Sequence, residues 1–347
     1  MNKISKYILN ISIVVILTFM VVFLLFQNDS DKLLAIINNM DYQLLLIPLI
    51  LSILGQVLMG VIITILARIS NRKYKLFDGV LNVYVARLFS SITPSSTGGQ
   101  LAQIYAFKRQ GVEYSDSASV IWMDYFIYQI VLCTTTFCLF CLKFLYFYNH
   151  HSNFFIIAFL GFLINVLVII SLYAIVKFPK FYYFITNRVI MFLAKIKIVK
   201  NVDRTITNIN VQIKRFELEI VKLKQNKKKI LICLLLFLFR FIIVYSIPYF
   251  CFKAIGYDVN LNQMLDVIAL SSFVIMVNSF FPMPGASGGT ELTFIMMFQT
   301  IFAADYVKVA VIVWRFTTFY FPMLLGLIAF MIVKLKKRRY VNEDSSI

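Results

Sequence analysis

The chain is short of nearly everything that a water-exposed surface requires. Only 14% of its 347 residues are charged while 61% are hydrophobic, and its mean hydropathy is +0.83. No polar shell can be assembled from that composition, so a soluble globular domain is excluded. Acidic residues are the scarcest charges: 16 Asp and Glu stand against 34 Lys and Arg, a formal net charge of +18. Such an excess would suit nucleic acid, but the basic residues flank apolar runs instead of lining one polar face. That pattern belongs to membrane topology and anionic lipid, and no nucleic-acid partner is expected. Cysteine is sparse, and Cys133, Cys138, Cys141, Cys233 and Cys251 all lie in apolar segments. Without His or carboxylate neighbours, the Cys138 and Cys141 spacing reads as packing sulfur and not as a zinc or redox pair. His150 and His151 read as solvated loop residues, so no metal and no cofactor are expected. No GxxxxGK[ST] or GxGxxG is present, which leaves nucleotide-driven transport unsupported.

Long apolar runs are what the sequence has. Residues 7–26, Leu44–Leu66, Ala118–Leu142, Phe154–Val176, Ile230–Phe252 and about Lys308–Val333 each suffice to cross a hydrocarbon core of about 30 Å at about 1.5 Å per residue. The first run resembles a signal anchor, but no small-residue cleavage site follows, so it is read as retained. Lys3 and Lys6, then Arg68, Arg72, Lys73 and Lys75, and finally Lys334, Lys336, Lys337, Arg338 and Arg339 fall on one side if both termini are cytoplasmic. By the positive-inside rule that is the expected orientation, in the plasma membrane.

Two further apolar segments are interrupted. Leu76–Arg109 breaks at Thr93-Pro-Ser-Ser-Thr-Gly-Gly-Gln100, and Gln263–Phe302 breaks at Pro282-Met-Pro-Gly-Ala-Ser-Gly-Gly-Thr-Glu291. Irregular backbone at membrane depth persists only where protein or trapped water satisfies it. The expected fold class is an all-α polytopic membrane protein, with about six transmembrane helices and two broken, re-entrant hairpins in an inverted repeat. The halves are about 7–142 and 154–333 within one membrane domain, residues 1–335, followed by a basic tail at 336–347. Inverted repeats with discontinuous helices recur in secondary transporters, where one half rocks against the other around a fixed site.

The long basic loop carries a helix at about 199–225, with an apolar stripe of Val199, Val202, Ile206, Ile209, Ile213, Phe216, Ile220 and Leu223. It is expected to lie on the inner membrane surface or on the protein's own cytoplasmic face, or alternatively to meet a partner or a second copy. The oligomeric state is left open.

At the breaks, consecutive glycines and small hydroxyl residues suit an anion, because backbone amides and helix N-termini converge there. The candidate substrate-binding residues are Thr97, Gly98, Gly99 and Gln100 in the first break and Gly285, Ser287, Gly288, Gly289 and Glu291 in the second. The other reading is that the glycine pairs only permit close helix crossing. Ionisable residues inside spans cost a few kcal/mol each unless paired or hydrated, which adds Asp124, Arg240 and Arg315, beside Arg87 and Asp266. Asp124 and Arg315 follow their glycine pairs at nearly equal distances and are candidates to pair with each other or to act on a zwitterionic or anionic headgroup. No catalytic residue is expected.

The two motifs, with Gln103, Ile104 and Tyr105 after the first and Trp314 and Arg315 in the last span, resemble the lysylphosphatidylglycerol synthase transmembrane (flippase-like) family. The resemblance covers about residues 5–335. In that family the fused bacterial enzymes join such a membrane domain, which translocates aminoacylated phospholipid, to a cytoplasmic aminoacyltransferase domain that uses charged tRNA. It implies here a stand-alone membrane half that moves a phospholipid, an aminoacyl-phospholipid or a polyprenyl-linked lipid, with membrane lipids and anionic headgroups as its partners. The alternatives are a phosphatidylglycerol lysyltransferase or its membrane subunit, and a scaffold that docks a cell-envelope enzyme through residues 199–223.

Overall fold

A computed structural model describes residues 30–93, 96–143, 152–178, 202–277, 283 and 285–335, with isolated positions at 183, 188 and 191. Among the described residues the chain is helical throughout. A short α1 (Ser30–Asn38) leads to α2 (Leu46–Ser70), α3 (Leu76–Ile92), α4 (Gly98–Arg109), α5 (Tyr114–Leu142), α6 (Ser152–Lys177) and α7 (Val202–Gln225). Then come α8 (Lys227–Tyr245), α9 (Ile247–Ala254), α10 (Met264–Val277), α11 (Gly289–Phe298), α12 (Ala304–Arg315) and α13 (Phe321–Leu335).

Among the described residues, five stretches are long and apolar enough to cross a membrane: α2, α5, residues 160–177 of α6, α8 with α9, and α12 with α13. The chain is therefore a polytopic helical membrane protein. The expected first span, residues 7–26, and the basic tail at 336–347 lie outside the described residues. Helices α3 and α4 flank the first break, and α10 and α11 flank the second.

Two expected single spans are articulated, each beside a proline. The 230–252 span divides at Ser246 into α8 and α9, with Pro248 in the first turn of α9, where its missing N–H is harmless. The last span passes through a wide π turn at Phe316–Tyr320 before α13. Pro322 sits just beyond it and has no N–H to donate to the carbonyl four residues back, that of Thr318. A carbonyl freed inside a membrane needs another donor.

Helix α3 is central, packed between α2, α4 and α13. Small residues permit the crossings: a Cβ on Gly60 would come within 2.8 Å of Val80 Cα, and one on Gly326 within 2.5 Å of the Tyr84 carbonyl. Close approach of this kind supplies dispersion contact where lipid removes any hydrophobic drive between helices. The largest apolar cluster joins α9–α12 through Phe252, Phe294, Phe298, Phe302 and Trp314. A second joins α2, α5, α7 and α8, and a third holds α3, α4 and α13 together. On the outside, Leu231, Leu235, Phe239 and Ile242 of α8 recur at helical spacing and are exposed, as lipid-facing residues should be.

The amphipathic helix α7 turns its stripe inward. Ile213, Ile220 and Leu223 are buried and Phe216 packs against the second cluster, with α5 the principal neighbour. Glu219 accepts a hydrogen bond from Ser70 at 2.6 Å, and Arg215 pairs with Glu113 at 2.9 Å. The stripe thus rests on the protein's own helices at the end where α2 finishes and α5 begins. Val199 lies outside the described residues.

Gly326→Leu should lower stability by about 1–3 kcal/mol through overpacking against α3, read as a lower unfolding temperature in detergent. The neighbouring lipid-facing change Leu327→Ala, at a side chain 43% exposed, should move it by less than about 0.5 kcal/mol. Equal midpoints for the two variants would contradict the α3–α13 crossing.

Candidate functional site

The second break is held by one carboxylate. Gly288 adopts φ +87°, and its N–H donates to Glu291 Oε2 at 2.8 Å, closing the first turn of α11 on itself. The other oxygen of Glu291 accepts from Arg315 Nε at 2.6 Å. Arg315 also donates to the Gly285 carbonyl at 3.2 Å and to Ser287 Oγ at 3.3 Å. The side chains of Arg315 and Glu291 are only 8% and 6% exposed. Such an ion pair needs good geometry and further hydrogen bonds to offset desolvation, and both are present here.

The first break is closed in a different way. Thr93 Oγ1 accepts from the Gly98 N–H at 2.9 Å and donates to the Phe89 carbonyl at 2.6 Å. The Gly99 N–H reaches the Ser96 carbonyl at 3.3 Å. A Cβ on Gly99 would fall 2.0 Å from Ser90 Oγ and 3.1 Å from the Ala86 carbonyl. The amides of Gly98, Gly99 and Gly288 therefore have partners within the protein, and the glycines let α4 lie close along α3. Thr97 and Gln100 are exposed.

The two breaks touch. Gly285 sits at φ +61°, and a Cβ there would meet Phe319 Cζ at 2.4 Å and the Ser91 carbonyl at 3.1 Å. Only glycine satisfies both that conformation and that contact. The Phe319 ring is shared by two guanidinium groups, Arg315 with its Cζ 4.3 Å from the centroid and Arg87 at 5.7 Å. A cation over a desolvated aromatic face gains up to about 2 kcal/mol. Arg87 also donates to the Thr318 carbonyl, the acceptor that Pro322 leaves without its helical donor.

Arg240 completes the group from α8, donating through Nε to the Gly55 carbonyl of α2 at 3.0 Å. A Cβ on Gly55 would meet Val244 at 2.6 Å, so the glycine brings α2 near enough for that bond. Arg87 lies within the electrostatic reach of both Arg240 and Arg315. Asp124 on α5 lies within the electrostatic reach of Arg240 and is 5% exposed. Its Oδ1 and the Arg87 Nε are buried without a hydrogen-bond partner. The cluster therefore holds three guanidinium groups and two carboxylates, a formal charge of +1 in apolar surroundings.

Arg315 is paired with Glu291, and Asp124 instead lies within reach of Arg240. Asp266 stands apart, bridged to Lys143 at 2.7 Å at the far end of α5. Of the residues singled out in the sequence, Gly285, Ser287, Gly288, Glu291 and Arg315 come together directly. Arg240 and Asp124 join them by way of Arg87, and Gly289 is buried at the start of α11. Phe319, Thr318, Tyr128 and Tyr245 were not foreseen. Tyr128 and Tyr245 lie close to each other and within the electrostatic reach of Arg240. Phe319 stands four residues after Arg315, on the same helix face, and Pro322 marks the Thr318 carbonyl; both signals were in the sequence.

The profile of one family, described as the lysylphosphatidylglycerol synthase TM region, matches residues 8–326. The match takes in both breaks and every ionisable group of the cluster. No curated protein matches the chain.

Glu291→Gln should cost about 3–5 kcal/mol of stability, because it leaves Arg315 buried and unpaired. In a double-mutant cycle, adding Arg315→Gln should cost much less than it does alone, which thermal unfolding of the four proteins would measure. Additive losses would mean that the two side chains do not act as a pair.

Proposed function

The chain belongs to the lysylphosphatidylglycerol synthase TM region family, a membrane domain tied to lipid handling, and on that premise we propose that it passes a lipid headgroup between leaflets through the buried arginine cluster. The observation that carries this reading is the convergence of Arg87, Arg240 and Arg315 where the two breaks meet. Charge at that depth is expensive and is kept where a pathway needs it. A headgroup phosphate brings about one negative charge and takes charge-assisted hydrogen bonds from guanidinium donors. Arg87, with its Nε unpartnered, and Arg240, with one backbone acceptor, are the donors open to it. Arg315 is the anchor, fixed by Glu291. The glycines of both breaks keep the hairpins close around the path, and Thr97 and Gln100 stand at its exposed edge.

The contacts between helices support two equivalent halves. The last span, α13, packs on the first hairpin limb α3; the corresponding span of the first half, α5, packs on the second hairpin limb α10. The equivalent spans α2 and α8 pack on each other. Exchanging the halves reproduces this set, as a two-fold axis would, and the basic clusters on one side favour an axis in the membrane plane. In this orientation α7 and both termini are cytoplasmic.

Leaflet exchange of acyl-chain-labelled phosphatidylglycerol, phosphatidylethanolamine and a polyprenyl phosphate in proteoliposomes tests the reading. The full chain should accelerate at least one of them above protein-free vesicles. Arg87→Gln or Arg240→Gln should slow that exchange by about tenfold or more, the worth of one charge-assisted hydrogen bond. Exchange no faster than in protein-free vesicles, for every lipid, would overturn it.

A further inference from the structure

The Asp124 carboxylate takes no part in the ion pairs that tie the described helices together. It is buried, no ion pair joins it to another residue among those described, and Oδ1 has no hydrogen-bond partner. The charged or titratable groups within its electrostatic reach are Arg240 and the Cys233 thiol, both on α8. Among the described residues, no charged group of α2, α4, α6, α7 or α10, the other helices packed on α5, acts on it. Its ionised form therefore depends on one guanidinium group. That same guanidinium belongs to the cluster through which the headgroup is read to pass, so the carboxylate and an arriving anion compete for it.

We infer that Asp124 is a proton site that couples proton movement to movement of the anionic headgroup. The inference rests on the reading of the arginine cluster as the headgroup path. When a phosphate oxygen takes the donors of Arg240, Asp124 loses its counter-charge. A carboxylate left uncompensated in apolar surroundings neutralises itself instead of remaining charged. A proton from the aqueous side open at that moment forms an O–H bond on the carboxylate, and no other bond changes. When the anion leaves on the opposite side, Arg240 again faces Asp124, and the proton is released to water there. Anion and proton thus travel in the same direction. Among the described residues no cluster of His, Cys, Asp or Glu stands with Asp124 to hold a metal cation, whereas a proton needs only the one carboxylate.

The experiment uses the full chain in phosphatidylcholine vesicles containing a trace of acyl-chain-labelled phosphatidylglycerol, with a pH difference imposed across the bilayer. Protein-free vesicles under the same gradient set the baseline. With the wild-type protein, labelled lipid should accumulate several-fold in the leaflet that faces the alkaline side, and reversing the gradient should reverse the asymmetry. Asp124→Asn, nearly isosteric and verified as folded by thermal unfolding, should lose the accumulation, and its exchange in the absence of a gradient, at whatever rate, should no longer vary with the pH common to both sides. Rapid equilibration by the wild type with no gradient-dependent accumulation would overturn the coupling and leave the lipid path standing. Accumulation undiminished in Asp124→Asn would overturn the assignment to this residue. No exchange above the baseline, with or without the gradient, would overturn both the coupling and the lipid path.

Discussion

Everything at the centre of this molecule depends on one carboxylate with two partners. Glu291 accepts from the Gly288 amide through one oxygen and from Arg315 through the other. The first bond starts α11 at a depth where an unsatisfied amide would cost several kcal/mol. The second holds a guanidinium group that then reaches the Gly285 carbonyl and the Ser287 hydroxyl. The loop of the second break, the start of its returning helix and the end of α12 are tied by these contacts into one unit. Ionic and polar groups at this depth would otherwise oppose folding, and mutual satisfaction makes them its organising centre.

A second consequence follows along the chain. With Arg315 fixed, Phe319 lies under its guanidinium group one helical turn later, and the other hairpin brings Arg87 to the same ring. Pro322 frees the Thr318 carbonyl, and Arg87 takes it. Local backbone chemistry at one end of α13 thereby sets the position of a charge on α3. Arg240, carried in by the close α2–α8 crossing at Gly55, adds a third positive group. Two carboxylates leave the cluster short of one negative charge, and a lipid phosphate has the chemistry to supply it. Membership of a lipid-associated membrane family and the long exposed apolar faces, along which acyl chains would run, agree with that reading.

The spans among the described residues, the two breaks and the ionisable residues were legible because each rests on a strong local rule. Apolar length fixes a crossing, and glycine and proline interrupt it. The closure of α11 was not foreseen, although Glu291 stands three residues after Gly288, the spacing of a capping box. What spacing could not decide was the choice of partners. Asp124 and Arg315 occupy similar places in the two halves, yet Arg315 turns to the nearer Glu291, which belongs to the hairpin packed on it. Nor did glycine content reveal whether the amides were open. Thr93, five residues before Gly98, closes one with its hydroxyl, and Glu291 closes another. In the described first break the glycines act through close approach, which moves the burden of recognising an anion from backbone to arginine side chains.

The claim at the centre of this account is that the arginine cluster receives a lipid phosphate. An experimental structure of the full chain in nanodiscs containing phosphatidylglycerol tests it most directly. The account predicts phosphate density inside the bilayer within hydrogen-bond reach of Arg87 and Arg240, with Arg315 still paired to Glu291. Phosphate confined to the two membrane surfaces, with the cluster closed on itself by Asp124 and Arg240, would contradict it.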